Sequence, residues 1–224
     1  MKMNLVPWNT PVVKKRESRW EQQRQKILLA SARLFWQKGF LGTSINDIAK
    51  AAKVNKAIVY YYFKNKASLL YEIMSGILRG LIDLGIDISN SSIPPRAKLE
   101  ALIESHIKWQ ASNYGFSGIG YMERKNLPPK LLRDYIGLRD EYEKLFQETI
   151  KEGIASGDFQ CADAKLSCLF SLGLVNSIIL WYKPKGKLSP ETIASKACEF
   201  ILGGLKAKKL DNPFIESQPS TRMK

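Results

Sequence analysis

Cysteine is scarce in this 224-residue chain, and the three present argue against a disulfide frame. Cys161, Cys168 and Cys198 are odd in number, have no C-x-x-C spacing and fall in apolar helical segments. They read as buried thiols in a reducing cytoplasm. Histidine is scarcer still, with His106 alone, so no zinc or other metal site is expected, and nothing points to a bound cofactor. The chain lacks G-x-S-x-G and any nucleophile–base pair. Glu123, Asp134 and Glu143 are spread along helical stretches as surface charges, and no enzyme is expected. The glycine-rich segment 114–121, YGFSGIGY, lacks G-x-x-x-x-G-K-[ST] and follows no strand, so it is not a phosphate-binding loop. No apolar leader opens the chain. The longest apolar run, 166–182, is broken by Ser167, Ser171, Asn176 and Ser177 and falls short of the ~20 apolar residues of a membrane span. The expectation is a cytoplasmic protein with no membrane partner. No strand-like segment and no internal repeat occurs.

Acidic residues are missing from one end. Of the first 66 residues fourteen are lysine or arginine and three are acidic, which places most of the net charge of +14 there. Such asymmetry favours a polyanionic partner. Anionic membrane fits less well than nucleic acid, because no long basic amphipathic helix with a wide apolar face lies there.

What is present is concentrated in residues 43–70, TSINDIAKAAKVNKAIVYYYFKNKASLL. Ile45, Ile48, Ala49 and Ala52 recur at one-face helical spacing over 44–52. Ser44 with Asp47 three residues on reads as an N-cap pair. Lys53-Val54-Asn55 reads as a turn, and a short basic helix follows over 56–63. This is helix-turn-helix spacing, whose second helix enters a major groove. Two short helices also occur in any all-α domain, and the aromatics tip the balance. Tyr60, Tyr61, Tyr62 and Phe63 point all round a short helix, so some are exposed beside Lys64 and Lys66, where phosphates would lie.

This stretch resembles the DNA-binding domain of the TetR (tetracycline-repressor) family of transcription regulators. The resemblance lies in the helix-opening threonine and serine, I-A-x-x-A-x-V, and Y-Y-Y-F-K-N-K-x-x-L-L, over roughly residues 20–70. Two positions depart from it: Lys53 stands where glycine is usual and Ala57 where glycine or proline is frequent. Without glycine, a left-handed turn residue costs about 1 kcal/mol. The resemblance implies that Asn46, Asn55, Lys56 and Ala57 face base edges. It implies that Thr43, Ser44, Tyr60, Tyr61, Lys64 and Lys66 hold phosphates of a double-stranded operator.

The rest reads as helix throughout, giving an all-α fold with a three-helix DNA-binding domain and a larger helical ligand-binding and dimerisation domain. Residues 1–17 read as a basic flexible arm, 18–66 as the DNA-binding domain, 67–205 as the larger domain and 206–224 as a flexible tail. Helices are expected over 18–38, 66–83, 95–113, 129–156, 162–181 and 190–205, with a short one near 122–126 and a loop over 85–95. Leu99, Leu102, Ile103, His106 and Trp109 share one face, so His106 reads as a hydrogen-bonded core or pocket histidine. The helix over 162–181 is apolar nearly all round. With 190–205 it is expected to pair with a second copy as a four-helix bundle, giving a homodimer suited to a palindrome.

The segments YMERKNLPPKLLRDYIGLRDEYEKLF, IKEGIASGDF and WYKPKGKLSPETIA resemble one branch of the family, the acyl-CoA-responsive regulators of fatty-acid and steroid breakdown. An acyl-CoA needs an apolar tunnel and cations for its phosphates. Trp109, Phe116, Leu132, Tyr135, Phe170, Leu174, Ile178 and Trp181 are the expected lining, and Arg124, Arg133 and Arg139 the expected cations. Two other readings stand beside it: a multidrug- or dye-sensing repressor of an efflux gene, and an effector-free DNA-organising protein with a filled core.

Overall fold

The computed structural model describes residues 18–206; the expected basic arm, and the tail after Lys206, lie outside them. Among the described residues nine α-helices and no strand occur. They are α1 (Arg19–Lys38), α2 (Ile45–Ala52), α3 (Lys56–Tyr62), α4 (Lys66–Ser89), α5 (Pro95–Ser112), α6 (Tyr114–Glu123), α7 (Pro129–Ala155), α8 (Ala164–Trp181) and α9 (Pro190–Lys206). A 3₁₀ turn, Arg124–Asn126, joins α6 to α7.

Local chemistry sets most boundaries. Ser18 and Glu21 form a capping box on α1, and Gly39 ends that helix at φ 73. Asn65 caps α4 and Asp163 caps α8. Pro95, Pro129 and Pro190 each stand at the first helical position, where a missing N–H costs nothing.

Two hydrophobic cores share α4. Its first half packs with α1, α2, α3 and α6 around Ile27, Phe35, Ile48, Val59 and Phe116. Its second half packs with α5, α7, α8 and α9 around Leu102, Phe146, Val175 and Ile201. Trp109 and Tyr135 touch both cores.

Three expectations on elements need correction. Helix α4 continues to Ser89, because Gly85 lies buried against Leu145 with room for no side chain; the loop shrinks to 90–94. The segment 114–121, outside every expected helix, is helical. Its glycine at 118 lets α6 press onto α1, where any Cβ would collide with the Trp36 ring. The expected short helix near 122–126 is the end of α6 running into the 3₁₀ turn.

Candidate nucleic-acid interface and effector cavity

Helices α2 and α3 meet across a turn built by short-range bonds. Ser44 Oγ accepts the Asp47 N–H at 3.1 Å, and Asp47 Oδ2 accepts the Ser44 N–H at 2.9 Å. Lys53 takes the left-handed conformation, φ 56 and ψ 45, despite not being glycine. The Val54 N–H then donates to Ala49 O at 3.0 Å. Asn55 Oδ1 accepts the Ile58 N–H at 2.9 Å and starts α3.

The aromatics of α3 divide cleanly. Val59 and Phe63 are buried in the core. Tyr62 donates its hydroxyl to Gln23 Oε1 at 3.2 Å and rests on Trp20, with ring centroids 5.2 Å apart. Tyr60 and Tyr61 face outward, 47 % and 72 % exposed. Lys56 Nζ lies 5.8 Å from the Tyr60 ring centroid. Asn46, Asn55, Ala57 and Lys64 are also exposed. Among the described residues, the one ion pair that reaches into 18–66 is Arg24–Glu72, at 2.8 Å. The remaining cations there meet no carboxylate of the described residues at ion-pair distance.

Behind this head lies a cavity of about 520 Å³ between α4, α5, α6, α7 and α8. Its apolar wall includes Ile77, Leu78, Leu81, Phe116 and Ile179, and Arg124, Tyr135 and Arg139 also line it. Burial raises the Tyr135 hydroxyl above its ordinary pKa, opposed by Arg139 and then Arg124. A polar group on the wall joins α5, α7 and α8. Gln110 Nε2 lies 2.6 Å from His106 Nε2 and 3.3 Å from Asn176 Oδ1. On the other side of the ring, His106 Nδ1 lies 3.0 Å from Tyr142 Oη. Burial keeps the imidazole neutral: it lowers the His106 pKa to about 4, opposed by the Asn176 side chain, and pushes the Tyr142 hydroxyl far up.

A description of bacterial regulatory proteins of the tetR family matches residues 27–73, and one of the tetracyclin repressor-like C-terminal domain matches residues 92–205. The chain belongs to the TetR family of transcriptional regulators. It is 28 % identical over 185 residues to the transcriptional repressor KstR2 of Rhodococcus jostii, covering 82 % of this chain and 91 % of that one. The solved structure of the TetR regulator PfmR from Thermus thermophilus matches with a TM-score of 0.75 at 31 % identity, covering 81 % of this chain and 99 % of that one. AibR, solved in complex with isovaleryl coenzyme A and operator DNA, shares the fold at TM-score 0.73 and 24 % identity, covering 80 % and 97 %. These relatives and domains indicate a transcription regulator, not an enzyme.

Against this TetR frame, two residues expected on phosphates face inward. Thr43 is buried, and its hydroxyl donates to Gly39 O at 2.9 Å. Lys66 Nζ donates to Phe40 O and Thr43 O, both at 2.7 Å, and lies 4.3 Å from the Phe40 ring centroid. Carbonyls left over at the α1–α2 turn attract that ammonium, so Lys66 holds the turn. Ser44 also spends its hydroxyl locally, donating to Asp47 Oδ2 at 2.7 Å.

Of the expected effector contacts, Phe116, Arg124, Tyr135 and Arg139 line the cavity. Trp109 instead acts as a strut: its Nε1 donates to Ile77 O at 3.1 Å, and its ring fills the space that a side chain at Gly80 would need. Leu132 packs on the head core, and Arg133 is exposed off the cavity. On α8 the expected face was the wrong one. Phe170 and Trp181 are exposed, Ile178 is buried in the core and Leu174 packs on it. The cavity is lined instead by Leu169, Leu172, Gly173, Asn176 and Ile179. The missed signal was Asn176, a polar residue inside an apolar helix. His106 and Gln110, one turn apart on α5, were the other.

The outer faces of α8 and α9 carry uncovered apolar groups: Leu166, Phe170, Leu180 and Trp181 on one, Phe200 on the other. Gly173, Gly203 and Gly204 open onto space with no neighbour. Helix α8 is long and apolar enough to cross a membrane by composition alone, but its inner side packs in the core and lines the cavity.

Proposed function

We propose that this TetR-family regulator is a homodimeric repressor, released from a palindromic operator when an acyl-CoA thioester enters each cavity. It would act in the cytoplasm, where its DNA lies. The observation that carries the reading is where the cavity sits: it opens against α4 and α6, the two elements that also hold the head. Lys66, the first residue of α4, grips Phe40 O and Thr43 O. From α6, Glu123 Oε1 accepts the Phe40 N–H at 3.1 Å, while its Oε2 accepts Asn126 Nδ2 at 2.6 Å. A molecule that displaces α4 or α6 therefore pulls on the α1–α2 turn from both sides.

In each protomer α3 would lie in a major groove, with Asn46, Asn55, Lys56 and Ala57 toward base edges and Tyr60, Tyr61 and Lys64 on phosphates. The exposed faces of α8 and α9 would pair with their copies, setting two heads ~34–36 Å apart. A change of a few ångströms in that spacing spoils the fit to two half-sites.

For the effector, the cavity volume of about 520 Å³ exceeds the ~300 Å³ lower end of ordinary ligand sites, which weighs against an effector-free DNA-organising protein. Arg124 and Arg139 suit the phosphates of coenzyme A. A dye-sensing pocket would lose two of its expected aromatics, since Phe170 and Trp181 of α8 face outward. AibR, which shares this fold, was solved with isovaleryl coenzyme A, and that supports the same ligand class here.

The test has two stages. Mass spectrometry of small molecules released from purified protein should find an acyl thioester or its acid. Acyl-CoA should then lower binding to a duplex selected from a random library, read by fluorescence anisotropy; binding unchanged by any chain length defeats the reading. A Glu123→Ala variant should bind effector as before but release DNA less completely. Full release by that variant would remove α6 from the coupling.

A further inference from the structure

Gln110 and Ser117 both line the cavity, and each keeps a buried polar atom without a partner: Gln110 Oε1 and Ser117 Oγ. Gln110 is 7 % exposed. Its amide nitrogen is already spent on His106 Nε2 and Asn176 Oδ1. Turned over together with the Asn176 amide it keeps these bonds, so the atom left over is an acceptor in one orientation and a donor in the other. Nearly all buried polar groups in folded proteins are paired, and exceptions call for an explanation. The groups left over are thus one end of the Gln110 amide and a serine hydroxyl able to donate or accept.

A hydroxyl is the smallest neutral group that matches this set, since it donates one hydrogen bond and accepts others. A plain hydrocarbon would bury both groups unpaired. We propose that the effector carries a hydroxyl on the part enclosed by the cavity, bonded to the free end of the Gln110 amide and to Ser117 Oγ. Specificity is then for a hydroxylated chain or ring over its unsubstituted parent. This rests on the reading of the cavity as the effector site.

Calorimetric titration of the full chain with dodecanoyl-CoA and with its set of monohydroxy isomers separates the two claims. The expected result is that at least one isomer binds at least about tenfold tighter than the parent, the scale of one buried group left unpaired. Ser117→Ala and Gln110→Leu should each shrink that advantage, read as the ratio of hydroxylated to parent affinity. Ser117→Ala, the smaller change, keeps the test if Gln110→Leu fails to fold. If the parent binds as tightly as every isomer, the hydroxyl inference falls and the effector reading stands. An advantage that survives in both variants also overturns the assignment. If neither thioesters nor the free acids bind, the cavity reading itself falls, and this inference with it.

Discussion

The head and the effector domain are both helical and share α4, yet they treat charge in opposite ways. Residues 18–66 display lysines and tyrosines with one ion pair among the described residues, Arg24–Glu72. From residue 95 onward six cations are held in ion pairs: Arg96–Glu100, Lys98–Glu152, Lys108–Glu104, Lys151–Glu148, Lys165–Glu143 and Lys196–Glu199. Exposed pairs of this kind add little stability, but they cancel the surface field. The polar groups that matter there, His106, Gln110 and Tyr142, are buried and neutral. One region works by charge left unpaired on its surface, the other by uncharged groups held inside.

The contrast can be broken in four places. The largest effect is expected at the outer face of α8 and α9. Replacing Phe170 and Phe200 together by aspartate should leave a folded monomer by circular dichroism and sedimentation. Operator affinity should fall by about a hundredfold or more, since two linked heads bind far better than one. A dimer that survives with unchanged affinity puts the subunit contact elsewhere.

Acid should strike the effector domain through His106. Its folded pKa, about 4, is depressed below the ordinary 6.5, so the unfolded chain binds the extra proton first. Stability is therefore full above the unfolded value and declines as pH falls from 6.5 toward 4. The loss approaches about 3 kcal/mol if nothing else titrates. Denaturant titrations of wild type and His106→Gln across that window should differ in slope, and parallel curves would contradict a buried neutral imidazole.

The third comparison lies within the head. Lys66→Met should cost about 2 kcal/mol of stability by taking a donor from two carbonyls, of which Phe40 O keeps only the Thr43 N–H. Lys64→Ala should leave the melting temperature alone and instead flatten the salt dependence of DNA binding. If both lysines behaved alike, the division into turn-holding and phosphate-facing cations would be wrong. The smallest effect is at Lys56: Lys56→Gln should change which duplex is preferred by about tenfold, measured by competition between selected duplexes. A uniform loss on all sequences would make it a phosphate contact.

The head was legible because its signals are local. Ser44 and Asp47, Asn55 and Ile58, and the left-handed Lys53 lie within a few residues of their partners, so spacing alone reveals them. Half of the cavity was not. Arg124, Tyr135 and Arg139 could be picked from one amphipathic stretch, but α8 is apolar nearly all round and its periodicity marks no single inner face. Residues 114–121 fell outside the expected helices because nothing in the segment shows that Gly118 meets the distant Trp36 ring.

Sequence by itself determined the family, the all-α fold, the helix caps and the cationic head, because caps and charge depend on neighbours along the chain. Tertiary structure alone decided that Thr43 and Lys66 hold a turn instead of facing outward. It also decided that Trp109 braces α5 on α4, and that Asn176, not Phe170, turns toward the cavity. Each of those outcomes depends on which distant backbone or ring supplies the partner atom. A side chain's composition says what it can bond, and only packing says which partner comes within reach.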